Sequence, residues 1–123
     1  MRRILCAEDD EQLGDLIKWS LGSIGHSVET VPDGQAAFER IAADPARFHV
    51  LLTDHQMPRL NGLGLVRKLR EIPFAGRILV QSGSLSSEEV RHYQALGVDA
   101  VLQKPVQISA LVSAVCAVLA SFE

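Results

Sequence analysis

The sequence is poor in cysteine and in aromatic residues, and it lacks a dense run of charge of one sign. Its two cysteines, Cys6 and Cys116, show neither a Cys-x-x-Cys motif nor the Cys/His spacing of a zinc site. Both are flanked by apolar residues, which predicts two buried, unpaired thiols in a reducing compartment. The net charge of −3 comes without the basic stripe that a nucleic-acid surface requires, so no nucleic-acid binding is expected.

Signal-peptide and membrane-spanning patterns are also missing from the sequence. A strand-like run begins by residue 3, and serines interrupt the longest apolar stretch, near the C-terminus. With 123 residues, of which 47% are hydrophobic, the chain is long enough to bury one core. We therefore expect a single domain over residues 1–123, located in the cytoplasm and not in a membrane.

Five short apolar runs alternate with five longer segments of helical periodicity. The predicted strands cover residues 3–7, 27–31, 49–53, 77–82 and 100–103. The predicted helices cover residues 10–24, 34–43, 62–71, 86–96 and 107–121, and the fourth opens with a Ser-x-x-Glu capping box. In the first helix, Leu16 and Ile24 belong to one apolar stripe. This alternation predicts an α/β doubly wound fold, a parallel sheet with helices on both faces.

Reactive side chains follow the ends of four predicted strands. Glu8 and Asp9 follow the first strand, Asp54 the third and Lys104 the fifth, while Ser82 closes the fourth. Because ligands of open α/β sheets bind outside the carboxyl ends of the strands, these groups should share one edge of the sheet.

This combination of groups has a specific chemistry. Carboxylates gathered in a partly dry pocket repel one another, and Mg²⁺, or alternatively Mn²⁺, would relieve that repulsion. A carboxylate such as Asp54 can attack phosphorus, while Lys104 and Ser82 supply a positive charge and a hydroxyl donor to the phosphoryl oxygens. The residues thus point to phosphoryl transfer onto Asp54.

Four motifs together resemble the receiver domain of two-component response regulators of the chemotaxis-regulator type. They are Glu8-Asp9-Asp10, Asp54-x-x-Met57-Pro58-x-x-x-Gly62, Ser82-Gly83 and Lys104-Pro105, and they occur in the order and at the spacing of that family. The resemblance spans essentially the whole chain. It implies a flavodoxin-like, five-stranded sheet with strand order 2-1-3-4-5.

The resemblance also implies a metal site for Mg²⁺. Asp9 and Asp54 would bind the ion directly, Glu8 through water or from further out, and Gln56 through its backbone carbonyl. The acidic run allows a rival register in which Asp9 and Asp10 form the metal-binding pair.

For phosphoryl transfer, the resemblance implies that Asp54 is the phosphoacceptor and that Ser82 and Lys104 contact the phosphoryl group. It further implies a cis peptide bond between Lys104 and Pro105. The phosphoryl donor would be a histidine kinase or a histidine phosphotransfer protein, and phosphorylation would switch binding to a downstream protein. Such a domain catalyses only its own phosphorylation and dephosphorylation. With no output domain after residue 123, we expect a stand-alone receiver or one excised from a longer protein.

Three other functions compete with this interpretation. Val101 occupies a position where receivers usually carry an aromatic residue, which leaves open a partner-binding module that is not controlled by phosphorylation. A phosphatase with an aspartyl intermediate would commonly need a second aspartate where Gln56 stands. A flavodoxin-type cofactor site is disfavoured because the loop after the first strand is acidic.

Two further regions carry expectations of their own. His55 is expected to be a solvent-exposed loop residue. The segment 105–122 contains no charged side chain, which favours a last helix that is buried on more than one side, with a partner or a homodimer docking through helices four and five. The alternative is an alanine-rich helix with a low-charge exterior.

Overall fold

The computed structural model describes residues 2–120 and contains a five-stranded parallel sheet. Its order is β2-β1-β3-β4-β5, which confirms the predicted topology. The strands are β1 (Arg3–Ala7), β2 (Ser27–Val31), β3 (Val50–Asp54), β4 (Arg77–Ser82) and β5 (Ala100–Gln103). The third strand therefore includes Asp54 and begins one residue later than predicted.

Helices cover both faces of the sheet, as the doubly wound prediction requires. They are α1 (Glu11–Gly22), α2 (Gly34–Ala43), α3 (Gly62–Leu69), α4 (Ser87–Ala95) and α5 (Ile108–Leu119). One core cluster joins the sheet to α1 and α5, and a second joins it to α2, α3 and α4. Alternate residues of a strand serve the two clusters, because successive side chains point to opposite faces. In β3, for example, Leu51 packs on the side of α2–α4 and Leu52 on the side of α1 and α5.

The first helix is shorter than predicted, because its chain turns away before Gly25. Gly25 has a φ of 99°, and the His26 N–H donates to the Leu21 carbonyl at 3.2 Å, a Schellman-type helix end. Leu16 and Ile24, predicted to lie on the buried stripe, are 47% and 50% exposed. That part of the prediction is wrong, since Ile24 lies beyond the helix and Leu16 lies on its outer side.

The last helix buries one stripe rather than several sides. Leu111, Val115 and Leu119 are buried, whereas its outward positions are mostly alanine, serine and Cys116. Within residues 2–120, the outward side of α5 is therefore low in charge and is not covered by the rest of the chain. The predicted end at Ser121, and Phe122 beyond it, lie outside the described residues. Docking or dimerisation through α4 and α5 stays a prediction.

The two cysteines occupy different environments. Cys6 is completely buried in β1, but Cys116 is exposed on α5, so the prediction of two buried thiols is wrong for Cys116. Its neighbour Val115 is buried, while Cys116 itself faces outward. Burial, with the nearby carboxylates of Glu8 and Asp54, raises the pKa of the Cys6 thiol to about 12.

Thiol labelling of the native protein should distinguish the two cysteines. Cys116 should react with a disulfide reagent in a fast first phase, because its thiol is exposed to the reagent and that of Cys6 is buried. Cys6 should react only after unfolding. A Cys116→Ser variant should lose the fast phase in a colorimetric thiol assay, and two rapidly reacting thiols in the folded protein would contradict this assignment.

Among residues 2–120, no helix is long and apolar enough to cross a membrane.

Candidate functional site

A cavity of about 290 Å³ opens at the carboxyl ends of β1, β3 and β4. It is lined by residues of β3 and β4 and of the loops after β1, β3, β4 and β5: Asp9, Asp54, Gln56, Ser82, Gly83 and Lys104. Five of the six residues predicted to form the site line this cavity. The sixth, Glu8, does not line the cavity but forms an ion pair with Lys104, which does.

At the end of β1, the acidic run divides into two roles. Glu8 is buried, and one of its oxygens accepts the Asp10 N–H at 3.1 Å. Asp10 is the N-cap of α1, where its side chain accepts from the backbone N–H groups of Gln12 and Leu13. Because capping engages the Asp10 carboxylate away from the cluster, the geometry favours Glu8 and Asp9 as the acidic pair over the rival register.

Lys104 joins the carboxylates across the cavity. Its Nζ lies 2.7 Å from Asp54 Oδ1 and 3.3 Å from Glu8 Oε1. Burial opposes the lysine charge, but the hydrogen bond and ion pair with Asp54 outweigh it and raise the pKa of Lys104 above its ordinary value. The lysine is therefore a fixed positive charge beside Asp54.

The surroundings of Glu8 disfavour its charged form, whereas those of Lys104 favour the charged form of the lysine. Burial, followed by hydrogen bonding to Asp54, raises the pKa of Glu8 above its ordinary value, although Lys104 opposes the effect. The protein alone therefore does not fully balance the negative charge of ionised Glu8. A divalent cation would supply the missing charge.

The donor set fits Mg²⁺ or Mn²⁺. One oxygen from each of Glu8, Asp9 and Asp54 lies within 4.8 Å of the other two, and Gln56 lines the same cavity. Carboxylate and carbonyl oxygens are the ligands that these hard cations prefer.

Ser82 and the loop after β5 complete the cavity. The Ser82 carbonyl accepts the Lys104 N–H at 2.8 Å, which fixes Lys104 beside the end of β4. The peptide bond between Lys104 and Pro105 is cis, as predicted. The Ser82 hydroxyl oxygen accepts the Ser84 N–H at 3.2 Å, so its proton remains available for donation into the cavity.

His55 lies in a different environment from the one predicted. It is only 5% exposed, and its two ring nitrogens lie 2.6 Å from the Tyr93 hydroxyl and 2.9 Å from Glu89 Oε2. The prediction of an exposed loop residue is therefore wrong. His55 extends the alternation of Leu51 and Thr53 beyond β3 and falls on the face covered by α4, and that parity was the sequence signal for its burial.

Comparison with known proteins gives a consistent result. The family model of the response regulator receiver domain matches residues 4–116. Response regulator MprA from Mycobacterium leprae is 38% identical over 118 residues, which is 95% of this chain and 50% of that protein. The gliding motility regulatory protein of Myxococcus xanthus is 37% identical over 74% of this chain and 11% of its own length. This chain thus spans at most about half the length of these curated relatives.

Solved structures share the fold over nearly the full chain. The receiver domain of the Francisella response regulator 1452 has a TM-score of 0.90 at 25% identity and covers 100% of both chains. The Vibrio cholerae chemotaxis protein CheY4 has a TM-score of 0.84 at 26% identity, covering 96% of this chain and 98% of its own.

Proposed function

Because this chain belongs to the response regulator receiver domain family, we propose that it is a signalling domain controlled by Mg²⁺-dependent phosphorylation of Asp54. The observation that carries the proposal is the grouping of Asp54 with a lysine and two other acidic residues. Lys104 Nζ lies 2.7 Å from the Asp54 carboxylate, and oxygens of Glu8 and Asp9 lie within 4.8 Å of it. This is the set of charges that phosphoryl transfer to a carboxylate needs.

In the proposed step, an Asp54 carboxylate oxygen attacks phosphorus and forms an acyl phosphate. The bond between phosphorus and the donor atom breaks, and its electron pair leaves with the donor. For a phosphohistidine donor that atom is an imidazole nitrogen, which becomes the ring nitrogen of a neutral histidine after proton uptake. Lys104 stabilises the negative charge on one phosphoryl oxygen, and the Ser82 hydroxyl donates to another.

Glu8, Asp9, Asp54 and the Gln56 carbonyl are the residues that would hold Mg²⁺. The ion supplies positive charge that offsets the repulsion between carboxylates and phosphoryl group. The raised pKa of Glu8 supports this assignment, because a carboxylate that the protein leaves under-compensated is a favourable ligand for a divalent cation.

The phosphoryl donor is a histidine kinase or a histidine phosphotransfer protein, and the acyl phosphate shifts an existing conformational equilibrium toward a state that binds a downstream protein. The domain catalyses its own phosphorylation and dephosphorylation and converts no external metabolite. Its two unpaired cysteines fit a reducing cytoplasm.

Incubation with acetyl phosphate tests this function directly. In the presence of Mg²⁺, intact-mass analysis should show the addition of one phosphoryl group, because the small donor needs only the chemistry of the domain itself. Chelation of the metal with EDTA should reduce the adduct at least tenfold. A protein that gains no phosphoryl group from acetyl phosphate or from a phosphohistidine protein would instead support a partner-binding module that is not controlled by phosphorylation.

A further inference from the structure

His55, the residue next to Asp54, connects the site with helix α4. Its Nε2 lies 2.9 Å from Glu89 Oε2, and its Nδ1 lies 2.6 Å from the Tyr93 hydroxyl. A carboxylate can only accept, so Nε2 carries a proton and donates to Glu89. Burial raises the pKa of Tyr93, so its hydroxyl keeps its proton, and it forms a hydrogen bond with Nδ1 of His55. Both nitrogens of His55 are thus engaged by α4.

The backbone of His55 is held just as firmly at the site. Its N–H donates to the Gln81 carbonyl at 3.0 Å, and its carbonyl accepts the Gly62 N–H at 2.7 Å. A Cβ added to Gly62 would lie 2.6 Å from both the Asp54 carbonyl and the Tyr93 hydroxyl. Close packing therefore links Asp54, the start of α3 and α4, and a shift in one of them is transmitted to the others.

Helix α4 depends on these contacts because it has few others. Among its nine residues, all of which the structure describes, Tyr93 alone is buried. Glu89 Oε1 accepts the Ser86 N–H in the capping box that begins the helix, while Oε2 of the same carboxylate accepts from His55. His55 thus holds both the capped start of α4 and its one buried side chain.

Space beside α4 allows the helix to move. A groove of about 690 Å³ separates α4 from β5, and its lining includes Val90 and Gln94 of the helix and Val101 of the strand. The side chain of Val101 has no polar atom that could form a hydrogen bond to Ser82. Among the described contacts, the hydrogen bonds of His55 with Glu89 and Tyr93 form the polar connection between the site and α4.

We propose that His55 is the positioning residue through which phosphorylation of Asp54 changes the position of α4. The inference rests on the proposed function above and adds the route by which the site reaches the rest of the domain. A phosphoryl group on Asp54 draws Lys104 from its present ion pairs and displaces the loop that starts at His55. The imidazole moves with that loop, which alters its bonds to Glu89 and Tyr93 together.

The test compares amide resonances of α4 before and after phosphorylation with acetyl phosphate and Mg²⁺. The variants are His55→Leu, which removes both bonds, and Glu89→Gln, whose amide places an acceptor oxygen at only one of the two positions that accept from Ser86 and His55. Glu88→Gln is the matched control, because Glu88 lies in the same first turn and faces solvent with an ion pair to His92 at 3.8 Å. Intact mass measured on each sample reports phosphoryl uptake separately.

We expect wild type and Glu88→Gln to show equal phosphorylation-induced shifts over residues 87–95. His55→Leu and Glu89→Gln should take up the phosphoryl group yet lose at least half of those α4 shifts. Tyr93→Phe, which removes one oxygen, provides the same measurement should His55→Leu fail to fold. Shifts of wild-type size in Glu89→Gln and Tyr93→Phe, or a phosphorylated wild type with unmoved α4 resonances, would overturn this inference alone. A wild type without an adduct would overturn the proposed function and this inference with it.

Discussion

An Asp54→Asn variant should take up no phosphoryl group from acetyl phosphate in the presence of Mg²⁺. Asparagine nearly matches aspartate in shape, but its amide is a far weaker nucleophile toward phosphorus and offers the metal a neutral oxygen. The expected effect is therefore complete loss of the adduct by intact-mass analysis rather than a reduced rate. The fold should persist, because the substitution changes charge and not volume.

Asp10→Asn is the matched control for this experiment. Asp10 lies only two residues after Glu8, but its side chain caps α1, and asparagine serves that position as well as aspartate does. Phosphoryl uptake should therefore stay within about twofold of wild type. An adduct that persists in Asp54→Asn would identify a different acceptor, and its loss in Asp10→Asn would restore the rival register of the acidic pair.

Mg²⁺ should stabilise the protein strongly at neutral pH and hardly at all at low pH. The pKa of Glu8 in the folded protein is raised above the ordinary value of 4.5. Between pH 4.5 and that raised pKa, the folded state therefore binds more protons than the unfolded state. In the absence of metal, the free energy of unfolding therefore falls as pH rises through that window and stays lower above it. Mg²⁺ binds the ionised carboxylates and offsets this loss.

Thermal unfolding with and without Mg²⁺ measures the effect. At a concentration about 100 times the dissociation constant, binding to the folded state alone adds about 2.7 kcal/mol, an upward shift of several degrees in Tm. At pH values well below 4.5, where Glu8 with its raised pKa is protonated, the shift should be much smaller. Glu8→Gln should raise the metal-free Tm at neutral pH and shrink the Mg²⁺ response. Glu11→Gln, which removes a charge from the exposed first turn of α1, should leave that response unchanged, and an equal Mg²⁺ shift at both pH values would refute the metal site.

The site was predictable from the sequence because each of its residues directly follows, or ends, an apolar strand. Once the strands are parallel, their carboxyl ends share an edge, and the strand order that the resemblance implied brings Asp54, Ser82 and Lys104 to neighbouring strands. The helix ends were less predictable. Gly25 marks the end of α1, yet the helix stops before it because the Schellman turn uses residues 23 and 24 as well.

Burial of individual side chains depended on contacts that local sequence does not specify. Leu16 is apolar and Cys116 has apolar neighbours in the sequence, yet both are exposed because they lie on the outer sides of α1 and α5. His55 was misassigned for the opposite reason. It begins a polar loop, which favoured exposure over its parity with Leu51 and Thr53, and Tyr93 and Glu89 of α4 cover it.

The sequence by itself determined the strand and helix alternation, the order of the reactive groups and the family to which they belong, because periodicity and strand-end position are local properties. Tertiary structure alone decided that α4 is anchored by a histidine beside Asp54. That outcome depends on which surfaces meet across 34 and 38 residues of chain, and neither segment by itself specifies a hydrogen-bond partner that lies so far away in the sequence.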